Sequence, residues 1–473
     1  MILRLHDTLS GETRPFEPLR PDRIGVYSCG PTVYGPAHIG NFRSFLFADL
    51  LVRHLSWRGY PVTWVMNITD VDDKIIRGAA ATGETIEAVS ERYLATFLMD
   101  AASLRMTMPD VMPRATRSID EIVTLISILL DRGHAYRTDD GSIFFRISSW
   151  PAYGRLARLD PEGQRVGERV ESDEYGKDDV RDFALWKAPK PGVAGEPSWE
   201  TPIGSGRPGW HIECSAMSMA QLGPSFDIHT GGVDLIFPHH EDEIAQSEAA
   251  TGQTFVATWL HCAHLRMGGA KMAKSTGNIA RVGDLLAAGI SPRALRLALI
   301  SVHYRAPLSH SDESLAASGA AIDRLDAAVA ALESYAEDGP DDATLPAVLD
   351  AAREAFGEAL DDDLNVSAAL AGVFDLVRDL NRRLERRSLS TTDAARALEA
   401  LRDLDRVLAI LPDTETDVDP AIDALLQARV NAREARDFAA SDRLRDELAG
   451  LGVTVEDTRD GQRWRRTVEA RHG

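Results

Sequence analysis

Residues 24–68 read IGVYSCGPTVYGPAHIGNFRSFLFADLLVRHLSWRGYPVTWVMNI, and this stretch decides the fold class. Ile24–Cys29 is a short apolar run followed by a Gly-Pro turn, which is typical of a buried strand. Phe42–Trp57 has apolar residues at helical spacing, and the glycine and proline that follow it end a helix. Val62–Ile68 is a second apolar run of strand length. A strand, helix and strand of these lengths predict a right-handed crossover in a parallel sheet, and therefore an α/β protein.

The chain beyond this unit changes character twice. Residues 140–209 are rich in glycine, proline and charge around short strand signals such as Ser142–Ile147, and we interpret them as an insertion between two halves of the sheet. Sheet-type patterns resume at Phe226–His229. From residue 310 the pattern is almost wholly helical, and the tail predicts one helix from Ala424 to Leu448 before a hairpin.

Composition indicates a globular protein of several domains. The chain has 473 residues, with 44% apolar and 26% charged side chains, and its length predicts about three domains. No run approaches the ~18 apolar residues of a membrane helix, and the N-terminus lacks an apolar signal core. The three widely spaced cysteines argue against a disulfide framework. We therefore expect a cytoplasmic protein without a membrane partner.

The charge distribution permits contact with RNA despite a net charge of −21. Between His310 and Ala428 lie 27 acidic residues and ten arginines, whereas the tail from Arg429 is arginine-rich and includes Trp464. Arginine has replaced lysine almost everywhere, since only six lysines remain. A surviving lysine therefore marks a position that needs a compact ammonium charge more often than usual.

The segment Pro36–Asn41 lies between the predicted first strand and its helix. Such a junction directs backbone N–H groups and the positive end of the helix dipole at an anion. Gly40 lets a ligand approach the backbone closely, and His38 and Asn41 share the first helical turn. An ordinary helix start explains the same residues, so the segment alone leaves both interpretations open.

A second segment, Lys271-Met272-Ala273-Lys274-Ser275, places two ammonium groups on a loop followed by Gly277. Such a loop can close over a triphosphate and stabilise the charge that builds as pyrophosphate leaves. A solvated surface loop is the alternative. Together the two segments resemble, in order, the HIGH and KMSKS signatures of class I aminoacyl-tRNA synthetases. Asn41 and Ala273 depart from those signatures at one position each.

A third group of residues contains zinc-ligand types. Cys29, Cys214, His239 and Glu243 offer two thiolates, an imidazole and a carboxylate, a plausible tetrahedral set. His239 and Glu243 are four residues apart and share one face of a helix. Spacing alone leaves open buried cysteines beside a solvated acidic helix. It also leaves open His240 as a ligand in place of His239.

Longer strings resemble the cysteinyl-tRNA synthetase family over nearly the whole chain. They are Tyr27–Thr32, Asn67–Lys74, Ala184–Lys187, Arg207–Met217, Phe237–Ser247, Val455–Thr458 and Trp464–Arg465. The resemblance implies one Zn²⁺ per chain, bound by Cys29, Cys214, His239 and Glu243, that takes the thiolate of the substrate L-cysteine. It implies a cysteine pocket formed by Gly30, Thr69, Trp210 and Asp234. It assigns no role to Lys187.

The same resemblance implies how the other substrates bind. ATP, accompanied by Mg²⁺, would contact His38, Gly40, Asn41, Lys271 and Lys274, and all of these except Gly40 would be catalytic. The cysteinyl-adenylate would be transferred to the 3′ end of cysteine tRNA. A soft zinc–thiolate contact distinguishes cysteine from serine and alanine without an editing domain.

We therefore expect a class I synthetase fold: a Rossmann-like parallel sheet split by an insertion, a helical bundle and a small C-terminal anticodon-binding unit, in a monomer. The expected divisions are 1–115 and 206–264 for the catalytic halves, 116–205 for the insertion, 265–312 for the lysine-loop region, 313–420 for the bundle and 421–473 for the C-terminal unit. Two alternatives remain: a ligase that transfers cysteine to an amino sugar, and a non-catalytic paralog. Pyrophosphate exchange separates the second alternative from the enzymes.

Overall fold

A computed structural model describes residues 2–159, 182–189, 196–267, 270–271, 280–337, 339–413, 420–434, 437–450, 453–458 and 461–466. The strands are β1 (Arg4–Asp7), β2 (Glu12–Pro15), β3 (Ile24–Ser28), β4 (Val62–Met66), β5 (Ala135–Arg137), β6 (Ile143–Phe145), β7 (Phe183–Lys187), β8 (Arg207–Pro208), β9 (Phe226–Gly232), β10 (Val256–Cys262), β11 (Leu265–Met267), β12 (Ala270–Lys271), β13 (Leu308–His310), β14 (Val453–Thr458) and β15 (Gly461–Arg466). The helices are α1 (Ile39–Trp57), α2 (Asp73–Thr82), α3 (Ile86–Ser103), α4 (Ile119–Asp131), α5 (Trp210–Leu222), α6 (Glu241–Thr251), α7 (Val282–Ala287), α8 (Pro292–Ile300), α9 (Asp312–Glu333), α10 (Leu345–Asp361), α11 (Val366–Glu385), α12 (Thr391–Leu408), α13 (Pro420–Glu434) and α14 (Phe438–Gly450).

The central sheet is parallel, as predicted from residues 24–68. Its order is β10-β9-β3-β4, and β3 pairs in parallel with both β4 and β9. All five residues of β3 are buried, because a parallel sheet is covered on both faces. Helix α1 provides the crossover between β3 and β4. The predicted α/β architecture is therefore confirmed.

The start of α1 is fixed by a reciprocal cap. His38 Nδ1 accepts from the Asn41 N–H, and Asn41 Oδ1 accepts from the His38 N–H, each at 3.1 Å. Two charged side chains of α1, Arg43 and Asp49, are buried with its apolar residues. Arg43 donates to the carbonyls of Ala263, Leu299, His303 and Ala306. The helix therefore contacts the sheet on one side and the segments around α8 on the other.

The insertion forms its own antiparallel sheet, in the order β5-β6-β7-β8. Its last strand, Arg207–Pro208, lies just beyond the expected division at residue 205. The buried carboxylate of Glu241 in α6 accepts hydrogen bonds from the N–H groups of Gly154, Leu156 and Ala157. This side chain therefore ties the insertion to the catalytic half that follows it.

The bundle α9–α12 shares one continuous apolar core with the parallel sheet. A buried ion pair crosses the contact: Arg296 of α8 donates to Asp49 of α1 at 2.7 Å, and neither side chain is exposed. Arg296 also donates to the carbonyls of Leu408 and Leu104. The bundle and α1 are therefore joined by directional contacts as well as by apolar packing.

The C-terminal unit corrects one prediction. Instead of one helix over 424–448, the structure has α13 and α14, and Asp437 begins the second by accepting from the Ala440 N–H at 3.0 Å. An aspartate favours a helix N-cap over a helix interior. The expected hairpin is β14–β15. The small apolar core of the C-terminal unit is separate from the main core and contains Leu426, Leu448, Val453 and Val455. Among the helices of the described ranges, none is both long and apolar enough to cross a membrane.

Candidate active site

A cleft of about 320 Å³ opens at the carboxyl ends of β3, β9 and β10. Ligands of parallel α/β sheets bind at this edge, where loops leave the strands. Of the residues expected in the site, Cys29, Gly30, His38, Gly40, Asn41, Trp210 and Asp234 all line the cleft. The structure therefore brings most of the expected substrate-binding residues to one cavity.

The first turn of α1 forms one side of the cleft. His38 and Asn41 both face it, although each also caps the helix through the other. A Cβ on Gly40 would lie 3.0 Å from His38 Nδ1, so any larger residue here would crowd the imidazole. The positive end of the helix dipole is directed at the cleft, which favours an anionic ligand.

The lysine loop ends beside this turn. Its first strand, β12, pairs Lys271 with Arg266. The chain returns at Ala280, whose carbonyl accepts from the Ile39 N–H at 3.0 Å, and Arg281 forms a bridge with His38. The side chain of Lys271 and all of Lys274 lie outside the described residues. Their contact with a phosphate chain stays a prediction.

The four expected metal ligands converge around Cys29, the one of them that lines the cleft. Cys29 follows β3, and Cys214 lies in α5. His239 lies in the π-helical turn Ile236–His240 just before α6, and Glu243 lies in the first turn of α6. One donor atom of each lies within 4.8 Å of the others. The sulfurs are 3.9 Å apart, and His239 Nε2 lies 3.0 Å from Glu243 Oε1. Apart from Cys29, all are buried, so the alternative of a solvated acidic helix is excluded.

The electrostatics of this cluster favour a cation. A hydrogen bond donated by Cys29 is the main reason why the pKa of Cys214 falls to about 6. Burial alone would lower the pKa of His239, but the charges of Cys214 and Glu243 raise it to about 10. Burial alone would raise the pKa of Glu243, but His229 and His239 lower it to about 2. The buried anions thus need a positive charge between them.

A second set of four donors overlaps the first. Cys29, His229, His240 and Glu243 also lie within 4.8 Å of one another, and His240 Nε2 is 3.3 Å from the Cys29 sulfur. The orientation of Glu243 favours the expected set. Its Oε1 faces Cys29 and His239 at 3.7 and 3.0 Å, whereas its Oε2 is paired with His229 at 2.9 Å. His229 is therefore placed to orient the carboxylate.

Sequence reasoning named His240 as an alternative ligand but missed His229 and His261 behind the cluster. His240 Nδ1 lies 2.8 Å from His261 Nε2, and His261 Nδ1 lies 2.8 Å from the hydroxyl of Thr8. His229 is the central residue of β9, and His261 is the last residue but one of the neighbouring strand β10. The expected strand Phe226–His229 ends at His229, and this was the available signal, because the ends of parallel strands meet at one edge of the sheet.

The expected cysteine pocket is only partly formed by cleft-lining residues. Trp210 stacks on His239 with ring centroids 4.3 Å apart, and Asp234 Oδ1 lies 3.9 Å from His264 Nδ1. Thr69 is buried behind the wall, where its hydroxyl accepts from Asn67 at 3.2 Å. Among the described residues that line the cleft, Thr69 does not occur. Its direct contact with a substrate stays a prediction.

Comparison with known proteins places the chain in a family. Residues 15–320 match the model of the class I (C) tRNA synthetase catalytic domain. Residues 355–412 match a DALR domain, and residues 415–465 match the cysteinyl-tRNA ligase anticodon binding domain.

Solved structures confirm the fold. The methionyl-tRNA synthetase of Mycobacterium tuberculosis in complex with methionyl-adenylate superposes with a TM-score of 0.59 at 17% identity, covering 82% of this chain and 90% of that one. The LeuRS of Agrobacterium radiobacter, in a ternary complex with tRNA, gives 0.60 at 12% identity, covering 84% and 85%.

Full-length relatives are more similar in sequence. A cysteine–tRNA ligase of Alkalilimnicola ehrlichii is 46% identical over 98% of this chain and 100% of its own length. One from Koribacter versatilis is 43% identical over the same shares. The chain therefore belongs to the cysteine–tRNA ligase family of class I tRNA synthetases.

Proposed function

We propose that the chain activates L-cysteine with ATP and transfers it from cysteinyl-adenylate to the 3′ end of cysteine tRNA. The observation that carries this proposal is the single cleft shared by two different groups. The first turn of α1 lines the cleft, and the lysine loop returns beside that turn. The thiol, imidazole and carboxylate donors are grouped behind Cys29 and Trp210, which also line the cleft. A nucleotide and a thiol-bearing amino acid can thus meet between them.

The donor set fits zinc better than a hard cation. Two sulfurs, an imidazole nitrogen and a carboxylate oxygen are typical zinc ligands, whereas Mg²⁺ and Ca²⁺ prefer oxygen. We propose Cys29, Cys214, His239 and Glu243 as the ligands of one Zn²⁺ per chain. When bound, zinc supplies a soft Lewis acid that holds a thiolate far more tightly than a hydroxyl or methyl group. We expect at least ~10⁴-fold less efficient activation of serine than of cysteine.

The remaining residues of the cleft bind and orient the substrates. Trp210 covers His239 and, with Gly30 and Asp234, would form the walls that hold the amino acid; Thr69 would support them from behind. His38, Gly40 and Asn41 would bind the phosphates of ATP with its Mg²⁺. Lys271 and Lys274 would close over them and stabilise the charge of the departing pyrophosphate.

The C-terminal unit would hold the distant end of the tRNA. We propose the division expected from the sequence, with 421–473 as the anticodon-binding unit and 265–312 as the lysine-loop region. The separate core of the unit supports an independent role. We further propose a cytoplasmic monomer. All three cysteines are free thiols, as a reducing compartment would require.

Two assays on one truncated variant test the proposal. Deletion of the residues after Pro412 should leave cysteine-dependent ATP–pyrophosphate exchange within about threefold of wild type, because the cleft is built before that point. Charging of cysteine tRNA should fall by orders of magnitude, mainly through the KM for tRNA. Equal charging by both proteins would refute the anticodon role. A full-length protein that never charges tRNA but links cysteine to an amino sugar would refute the ligase assignment.

A further inference from the structure

Four charged residues form a cluster at the junction of the insertion and the catalytic halves. Lys187 Nζ pairs with Asp73 Oδ2 at 3.0 Å. Arg207 pairs with the other oxygen of Asp73 and, through Nε, with Glu196 at 3.0 Å. We call Asp73, Lys187, Glu196 and Arg207 the junction cluster. It contains two cations and two anions from four separate segments, and none of them is a proposed metal ligand.

The two cations of the junction cluster are buried, Lys187 being 9% and Arg207 4% exposed. Burial of a charge is costly unless it is paired and hydrogen-bonded, so both cations depend on Asp73, whose side chain is 47% exposed and whose charge is therefore partly screened by solvent. Lys187 is also one of only six lysines in the chain. In a protein that uses arginine almost everywhere, a buried lysine indicates that its ion-pair partner requires an ammonium group at this position.

Close backbone packing fixes the position of strand β8. A Cβ on Gly206 would lie 2.5 Å from the carbonyl oxygen of Lys187, and one on Gly209 would lie 1.9 Å from that of Ala184. Only glycine allows this approach on both sides of Arg207. Strand β8 is therefore held close to β7, with Arg207 opposite Lys187 in the register of the two strands.

Both ends of the junction cluster adjoin residues that line the cleft. Asp73 precedes Lys74, whose ammonium lies 5.2 Å from the centroid of the Tyr34 ring. Arg207 lies three residues before Trp210, which stacks on His239. Lys74, Tyr34 and Trp210 all line the cleft. The Asp73–Arg207 pair thus joins the start of α2 to the segment that leads into α5, and each of these helices contributes one residue to the cleft wall.

We propose that the junction cluster consists of positioning residues for amino-acid binding, which hold Trp210 and Lys74 at their places on the cleft wall. The inference rests on the proposed function, because it assumes that cysteine binds against Trp210. It assigns a role to Lys187 and Asp73 although neither belongs to the metal site or the nucleotide site. A neutral side chain at position 73 breaks the Asp73–Arg207 pair that links α2 to α5, and one at position 187 removes the ammonium that holds the same carboxylate in place.

The proposal predicts a change in substrate affinity that the two residues share. In the full-length, zinc-loaded protein, Asp73→Asn and Lys187→Met should each raise the KM for cysteine about tenfold in pyrophosphate exchange, while the KM for ATP stays within about twofold. The KM of the double variant for cysteine should also be raised about tenfold, not a hundredfold, because both changes act through the Asp73 carboxylate. KM does not depend on the fraction of active enzyme, so partial misfolding leaves this measurement valid.

Glu84→Gln is the matched control. Glu84 follows the other end of α2 and pairs with Arg92 at 2.7 Å, so it loses the same charge without facing the junction. Its KM for cysteine should remain at the wild-type value. Wild-type KM in the Asp73 and Lys187 variants, a fall in kcat alone, or fully additive effects would each overturn the positioning role. A wild-type protein without cysteine-dependent exchange would instead refute the proposed function, and this inference with it.

Discussion

The two overlapping donor sets make different predictions for Cys214→Ser. Structural zinc sites bind with an apparent free energy of about 10–16 kcal/mol over four ligands, so one ligand contributes about 2.5–4 kcal/mol. If Cys214 is a ligand, its loss should weaken zinc binding by about 10²–10³-fold. In the other set Cys214 only accepts a hydrogen bond from Cys29, with the sulfurs 3.9 Å apart. Its loss should then cost about tenfold.

His229→Gln is the matched variant for this test. In the expected set His229 only orients Glu243 through its 2.9 Å contact with Oε2, and loss of such a partner typically weakens metal binding by about 10–100-fold. In the other set His229 is itself a ligand. If the expected set binds zinc, Cys214→Ser should therefore have a lower zinc affinity than His229→Gln. If the other set binds zinc, His229→Gln should have the lower affinity.

Chelator competition measures both affinities, and cobalt substitution reports the ligands directly. Wild-type protein with Co²⁺ should show thiolate-to-metal absorption from two sulfurs, and Cys214→Ser should retain that of one. The His229 variant should keep both. Unchanged zinc affinity and unchanged cobalt absorption in Cys214→Ser would refute the assignment of Cys214 as a ligand.

Three further predictions concern other parts of the chain. Lys274→Ala should slow pyrophosphate exchange by about 10²–10³-fold, the usual cost of one transition-state charge contact; a wild-type rate would show that the loop is not catalytic. Arg296→Met removes one of the two ion pairs of buried Asp49, which keeps Arg53 at 2.9 Å, and should lower the free energy of unfolding in urea by about 1–3 kcal/mol; an unchanged urea midpoint would contradict this. The pKa of Asp100 is raised from 3.8 to about 6, mainly by burial and then by Asp284. The folded state therefore favours the protonated Asp100, and this contribution to the free energy of unfolding is lost as pH rises through about 6. Asp100→Asn removes the buried charge and should raise Tm more at about pH 7 than at about pH 4. Equal shifts at both would argue against the raised pKa.

The sequence predicted the parallel core because its strands are apolar runs with clear ends. The first predicted strand, Ile24–Cys29, differs from β3 by one residue, and the second, Val62–Ile68, extends two residues beyond β4. The donors Cys29 and Cys214, which are 185 residues apart, could be grouped only through family resemblance. Spacing within the chain carries no information about such distant partners.

Other features depend on register and packing that the sequence does not encode locally. The pairing of His229 with Glu243 depends on how α6 packs against β9. The position of Thr69 behind the wall depends on its bond from Asn67. The break between α13 and α14 was missed because apolar spacing continues past Asp437, whose capping role appears only when its carboxylate meets the Ala440 N–H. Local polarity does not decide between a surface aspartate and a helix cap.

Helix α1 connects the cleft to the helical bundle. Its first turn places His38 and Asn41 at the cleft. At its other end, His54 and Arg58 pair with Asp361 of α10 at 2.9 and 2.6 Å. Its 19 residues span ~28 Å. At that length, a rotation of only ~2° about the paired end moves the first turn by ~1 Å, a displacement that can change a catalytic rate by ~10²-fold. Substitutions on the bundle surface that faces α1 should therefore affect the reaction rate through the tilt of α1 that they cause, more than through the change in side-chain volume.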